Sequence, residues 1–312
     1  MLWIWILCGV AVLLLLFWAL VAYCVFRYAF VRRAHPRDED EADAGRPSLR
    51  EYYPELIAAR RALDDRPYEA IEMTSRDGLR LFARFYRNPH GTRVIVLMHG
   101  YRSSGRRDFG CSIPFYLEQG FHVLLPDQRA HGRSEGKYIT FGIRESEDCA
   151  DWLSLMQQRF GDAYPLWLGG LSMGSATVLT ATALPLPASL RAIVADCGFS
   201  SPRAILRHVA AEMHLPAGLL LPAVNLYCRC FGGFSIDERS AVSALRRNTL
   251  PILFIHGLGD SFVPPEMTDE NMAAATHAPT SCVLVERATH GMAYVYDTPR
   301  VQAALREFFS RY

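Results

Sequence analysis

Three rhythms of hydrophobic and polar positions divide the chain. The first is unbroken: from Leu2 to Phe26 no charge interrupts a run rich in Leu, Val, Ile, Ala and Trp. Those 25 residues exceed the roughly 20 that a helix needs to cross the hydrocarbon core of a bilayer. Trp3 and Trp5 at one end, and Tyr23 and Tyr28 at the other, suit the two membrane interfaces. The run lacks the basic start, the shorter apolar stretch and the small-residue cleavage site of a secretory signal. Residues 1–28 therefore read as a retained transmembrane anchor. Arg27, Arg32, Arg33 and Arg37 follow the run while only the α-amino group precedes it, which by the positive-inside bias places the rest of the chain in the cytoplasm. Residues 29–47, with acids at Asp38, Glu39, Asp40, Glu41 and Asp43, read as a solvated charged linker.

The second rhythm is a series of short apolar runs. Ala70–Ser75 and Leu79–Arg87 flank Asp77-Gly78, a hairpin signal. Val94–Met98, His122–Pro126, Pro165–Leu168, Ala192–Ala195, Ile252–Ile255 and Cys282–Glu286 follow, apolar enough for strands buried on both faces. The third rhythm is helical, at residues 48–63, Ile143–Phe160, Met173–Leu184 and Pro299–Phe309. Alternation of the two predicts an α/β fold, a mostly parallel sheet covered by helices on both faces. Residues 198–248 break the alternation with stretches rich in Leu, Pro, Gly and aromatics, and read as a small helical cap over the carboxyl edge of the sheet. The globular unit is thus residues 48–312.

Composition narrows the function classes. With 33 basic against 32 acidic residues, net charge +1, the chain has no cationic face for nucleic acid. The eight cysteines show no framework spacing and no zinc-ligand spacing, so neither a disulfide scaffold nor a metal site is expected, and free thiols suit a reducing compartment. No cofactor is called for.

The chemistry lies in Gly170-Leu171-Ser172-Met173-Gly174, after a strand and opening a helix. In G-x-S-x-G the serine occupies a strained strand-to-helix turn that only small neighbours permit, and the helix N-terminus favours developing negative charge. A serine hydroxyl needs a base. Among ten histidines, His290 stands directly after the last strand and before the last helix, on a loop reaching the same sheet edge. His99, His122, His131 and His256 sit where structural roles fit better. Asp260, after the Ile252–Ile255 strand, is the favoured third member, with Asp196 as the rival acid and Asp127 bracing its own loop. The backbone N–H groups of Met173 and Tyr101 are the expected oxyanion donors.

Together the His99-Gly100 turn, the Asp127–Ser134 segment, the Gly-Leu-Ser-Met-Gly elbow and His256–Pro264 resemble the α/β-hydrolase superfamily over about Tyr68–Tyr312. The closest likeness is to membrane-anchored bacterial hydrolases of the serine aminopeptidase-like and Bem46-like branch. The resemblance implies an eight-stranded, mainly parallel sheet and a metal-free acyl-enzyme mechanism. The HGGG loop of many lipases is missing. Three functions are carried forward: a serine esterase acting on a carboxylic ester, lipophilic acyl esters included; a serine peptidase whose cap acid (Glu212, Asp237 or Glu238) holds a substrate ammonium; and a tethered, catalytically dead binding protein.

Overall fold

A computed structural model describes residues 1–33, 40, 43 and 49–312. Eight strands form one sheet in the order β1-β2-β4-β3-β5-β6-β7-β8. They are β1 (Glu69–Thr74), β2 (Arg80–Tyr86), β3 (Arg93–Met98), β4 (Phe121–Asp127), β5 (Leu166–Leu171), β6 (Leu190–Asp196), β7 (Ile252–Gly257) and β8 (Thr280–Val285). All eight correspond to the apolar runs of the sequence. β2 pairs antiparallel with both β1 and β4, and every other pairing is parallel. The Asp77-Gly78 turn closes the first hairpin, with Gly78 at φ 85°, a conformation open to glycine at no steric cost.

Helices cover both faces. In chain order they are α1 (Leu2–Phe30), α2 (Tyr53–Asp64), α3 (Gly105–Phe109), α4 (Ile113–Glu118), α5 (Ile143–Phe160), α6 (Met173–Ala181), α7 (Pro202–Glu212), α8 (Ala217–Tyr227), α9 (Ala241–Leu245), α10 (Glu266–Ala274), α11 (Ala293–Tyr296) and α12 (Thr298–Arg311). A π-helical turn, Cys228–Gly232, extends α8. One core layer sets Ile95, Leu97, Trp167 and Ile255 of the sheet against α4 and α12. The other sets Val94, Val96, Leu168 and Phe254 against α5, α6 and α9. α6 is buried on every side, which its small residues (Gly174, Ser175, Ala176, Thr177) make possible. α3, α4 and α10 were not among the elements expected from the sequence; the first two, at five and six residues, are too short to show a helical period. Within residues 198–248, Ala241 and Leu245 of α9 pack into the sheet-face layer, whereas α7, α8 and the π-turn cluster with the last turns of α1, and none of these residues lines the cavity at Ser172, where a cap was expected.

The N-terminal helix departs most from expectation. It continues to Phe30, and its last turns are docked on the globular unit. Ala22, Phe26, Ala29 and Phe30 are buried in one cluster with Phe141, Leu221, Val224 and Phe234. Past the helix the backbone adds a bridge, Val31 to Tyr138, with Arg32 N–H donating to the Lys137 carbonyl at 2.8 Å and Ile139 N–H to the Phe30 carbonyl at 2.7 Å. Ala29 and Phe30 are thus packed rather than solvated, Val31 and Arg32 are partly buried, and Arg33 is exposed. The rest of the expected linker, 34–47, lies outside the described residues except for Asp40 and Asp43. Those two acids are not solvated linker charges: Asp43 is buried against Arg60 (2.8 Å) and Arg107, and Asp40 pairs with Arg106 at 3.0 Å. Three arginines from α2 and α3 supply the opposite charge, which no local pattern in the linker announces.

Candidate active site

Ser172 sits between β5 and α6 at φ 57°, ψ −117°, strained for a residue with a side chain. The two glycines of the motif make that turn possible. A Cβ on Gly170 would collide with the backbone of Gly174, and one on Gly174 with the Met98 and His99 carbonyls. The elbow is therefore pressed against the end of β3, from which the His99-Gly100-Tyr101 turn leaves. A Cβ on Gly100 would lie 3.4 Å from Ser172 Cβ, so this turn touches the serine directly.

The sequence-predicted residues converge. The Ser172 hydroxyl and His290 Nε2 are 2.9 Å apart, and His290 Nδ1 and Asp260 Oδ2 are 2.7 Å apart. Asp260 is buried, with Oδ1 accepting the N–H groups of Phe262 and Val263 at 2.9 Å each. Burial alone would raise its pKa, but hydrogen bonds from His256 and His290 outweigh that and hold the carboxyl well below the usual range. The loop carrying His290 is held close because Gly257 lets the Ala288 carbonyl approach where a Cβ would collide.

Other histidines are occupied elsewhere. His99 donates from Nδ1 to the Gly100 carbonyl and accepts the Gln128 N–H at Nε2. His131 accepts the Arg102 N–H at 2.9 Å. His256 is buried behind the acid, 3.3 Å from Asp260 Oδ2, and bonded to Thr268 Oγ1 and the Val263 carbonyl. Asp127 accepts the Arg133 N–H and so braces its loop.

In the turn beside Ser172 the Gly100 N–H is held by Asp108 (2.6 Å) and the Arg102 N–H by His131, which leaves the Tyr101 N–H between two fixed neighbours. Met173 opens α6, where N–H groups have no intrahelical partner. The Tyr101 hydroxyl, buried and pushed up to about 12 by that burial, donates to the Ala29 carbonyl at 2.8 Å. Arg102 donates to the Tyr28 and Val31 carbonyls. The end of α1 is thereby capped by the turn that touches Ser172. Asp108 and this capping were not foreseen: Asp108 sits in a helix too short to predict, and α1 is separated from Tyr101 by 72 residues of sequence.

A cavity of about 710 Å³ opens over Ser172. Its walls include Tyr28, Tyr101, Phe262, Leu171, Met292 and Tyr294, and reach Val301 and Leu305 of α12. Asp196, the rival acid, also lines it, but takes no bond from His290. Its Oδ1 is buried without a hydrogen-bond partner, and burial pushes its pKa up to about 6 against the pull of His256 and His290. The expected cap acids are elsewhere: Asp237 pairs with Arg203 at 2.5 Å and Glu238 with Arg144 at 3.3 Å, and neither they nor Glu212 line the cavity. Among the described residues Cys197, Asp260 and His290 present ligand atoms within 4.8 Å of one another. Burial raises the Cys197 thiol well above its ordinary value, and the acid and imidazole already bond each other, so the cluster is poorly disposed to hold a cation.

The sheet order and the strand-to-helix elbow make this chain an α/β-hydrolase by fold, and residues 93–215 match the α/β hydrolase fold family. It is similar to the uncharacterised Bacillus subtilis protein YqkD, 27% identical over 222 residues, covering 70% of this chain and 72% of that one. The uncharacterised Saccharomyces cerevisiae membrane protein YNL320W is 24% identical over 205 residues, 64% of this chain and 65% of that one. Among solved structures the Pyrococcus furiosus esterase Pf2001 superposes with a TM-score of 0.67 at 20% identity, covering 91% of this chain and 98% of that one.

Proposed function

We propose that the protein is a membrane-anchored serine esterase that cleaves lipophilic carboxylic esters. The observation that carries this reading is the hydrogen-bonded line Ser172–His290–Asp260, which opens on a large cavity whose lining mixes aromatic and aliphatic side chains with charged ones. In this reading the Ser172 hydroxyl attacks the ester carbonyl while His290 Nε2 takes its proton. Asp260 holds the ring and stabilises the imidazolium. The Tyr101 and Met173 N–H groups receive the oxyanion. His290 returns the proton to the departing alcohol; it then takes a proton from water as the hydroxide adds to the acyl carbon, and hands that proton to the Ser172 oxygen as the acid leaves.

The esterase likeness of Pf2001 supports this reading, and none of the three cap acids expected of a peptidase reaches the cavity. α1 serves as a single-pass anchor with the hydrolase domain on the cytoplasmic side, the side favoured by Arg27, Arg32 and Arg33. The test is turnover of aryl esters of graded acyl length, against aminoacyl anilides, by the full chain in detergent. Ester turnover that rises with acyl length and vanishes in Ser172→Ala supports the proposal. Anilide turnover without ester turnover would replace it with the peptidase.

A further inference from the structure

α8 is apolar on both of its faces. Leu220, Leu221 and Val224 are buried beneath it. Leu219, Pro222 and Leu226, spaced i, i+3 and i+7, form an outward stripe on which the two leucines are 72% and 59% exposed. Phe231, on the π-turn that follows, is 54% exposed. No charged residue occurs from Leu215 to Cys228. A helix facing water carries polar residues on its outer side, and an all-round apolar helix is covered by something.

What covers it is indicated by its neighbour. The Tyr227 hydroxyl donates to the Ala19 carbonyl of α1 at 3.0 Å, and the rings of Tyr227 and Phe231 lie 5.5 and 6.2 Å from that of Tyr23. Only Leu2–Phe17 of α1 is exposed on all sides. At 1.5 Å per residue those 16 residues span ~24 Å, less than the ~30 Å of a hydrocarbon core. For α1 to span, the hydrocarbon must reach about Leu20 or Val21, the level at which α8 and the π-turn are docked. Arg27 and Arg229, both exposed, flank this level where lipid phosphates would lie.

We propose that the outer face of α8 and the π-turn (Leu219, Pro222, Leu226 and Phe231) beds into the lipid leaflet beside α1, so that the cap is a second membrane contact. This rests on α1 being the anchor. The cavity over Ser172 is lined by Tyr28, ~12 Å further along α1 than Leu20, so its entrance lies just below the headgroups. The substrate it then receives is an amphiphilic ester drawn from the bilayer.

The test places the photo-crosslinker p-benzoylphenylalanine at Leu13, Leu219, Leu226 or Arg191, one position per variant, in the full chain. The protein is reconstituted in phosphatidylcholine and phosphatidylglycerol vesicles carrying alkyne-tagged lipid. Lipid adducts at Leu13, Leu219 and Leu226, with none at Arg191 on the exposed side of β6, are expected. Adducts at Leu13 alone would overturn the cap contact while leaving the anchor standing. No adduct at Leu13 would overturn the anchor and the proposal with it. Leu219→Glu with Leu226→Glu should lower turnover of a vesicle-embedded ester about tenfold and leave a water-soluble short ester unchanged. An equal loss on both esters would mark a merely structural defect and count against the proposal.

Discussion

Two regions meet at Ser172, and they are built in different ways. Along the carboxyl edge of the sheet, each residue of the proposed triad follows a strand end: Ser172 after β5, Asp260 after β7, His290 after β8. At the seam between α1 and the cap, partners such as Ala19 and Tyr227 are 208 residues apart and joined by aromatic packing. The first region arranges the chemistry. The second fixes where that chemistry sits and ties the end of α1 to the turn that touches Ser172. The difference teaches that the end of α1 is a structural part of the globular unit, so a fragment beginning after the apolar run lacks packed residues.

Breaking the sheet edge alone should give the largest effect. Ser172→Ala should cut ester turnover by on the order of 10⁴-fold or more, with unchanged thermal unfolding, since the side chain lost is small and the seam is untouched. Steady-state kinetics and a melting curve on the same preparation check both halves of that statement. Breaking the seam alone comes next. Removal of residues 2–33 uncovers the sites of Phe26 and Phe30, each worth about 1.5–3 kcal/mol of burial, so stability should fall by about 3–6 kcal/mol. Removal of Leu2–Phe17 alone should cost almost none, because that half is exposed on all sides among the described residues. Denaturant titration of the two truncations in the same detergent separates these outcomes.

A pH experiment sharpens the sheet-edge side. Asp196 has its folded pKa raised to about 6, above the ~3.9 of an unfolded aspartate. Between those values the folded state holds more protons than the unfolded one, so stability falls as pH rises through the window. Asp196→Asn should remove that fall, leaving the variant on the order of 2 kcal/mol better placed above pH 6 than the wild type relative to each at pH 4. Unfolding curves across that range are the measurement. The smallest effect belongs to the link between the regions. Tyr101→Phe deletes the hydrogen bond to the Ala29 carbonyl and should cost about 1 kcal/mol of stability, with a modest loss in kcat if the oxyanion turn loosens.

The legibility of the two regions from sequence differs for the same reason. Strand runs such as Val94–Met98 are apolar because both faces are buried, and Gly170 and Gly174 are small because the elbow collides with backbone otherwise. Such demands are local, so the pattern shows the sheet and brings Ser172, Asp260 and His290 together by chain order. Asp43 against Arg60 and Arg107, Asp108 against the Gly100 N–H, and the packing of Phe30 on Phe141 are set by contacts between distant segments. A charged run such as Asp38–Asp43 therefore reads as solvated until its partners are placed beside it. The cap lies between these cases: its apolar sequence is visible in Leu215–Pro222, but its position against α1 is not.

The most direct test of the central claim is covalent. The full chain in detergent is treated with a fluorophosphonate, digested and read by peptide mass spectrometry beside Ser172→Ala. The account predicts a single adduct on the peptide containing Ser172, absent in the variant. A folded protein that takes no label, or takes it equally in Ser172→Ala, would contradict it.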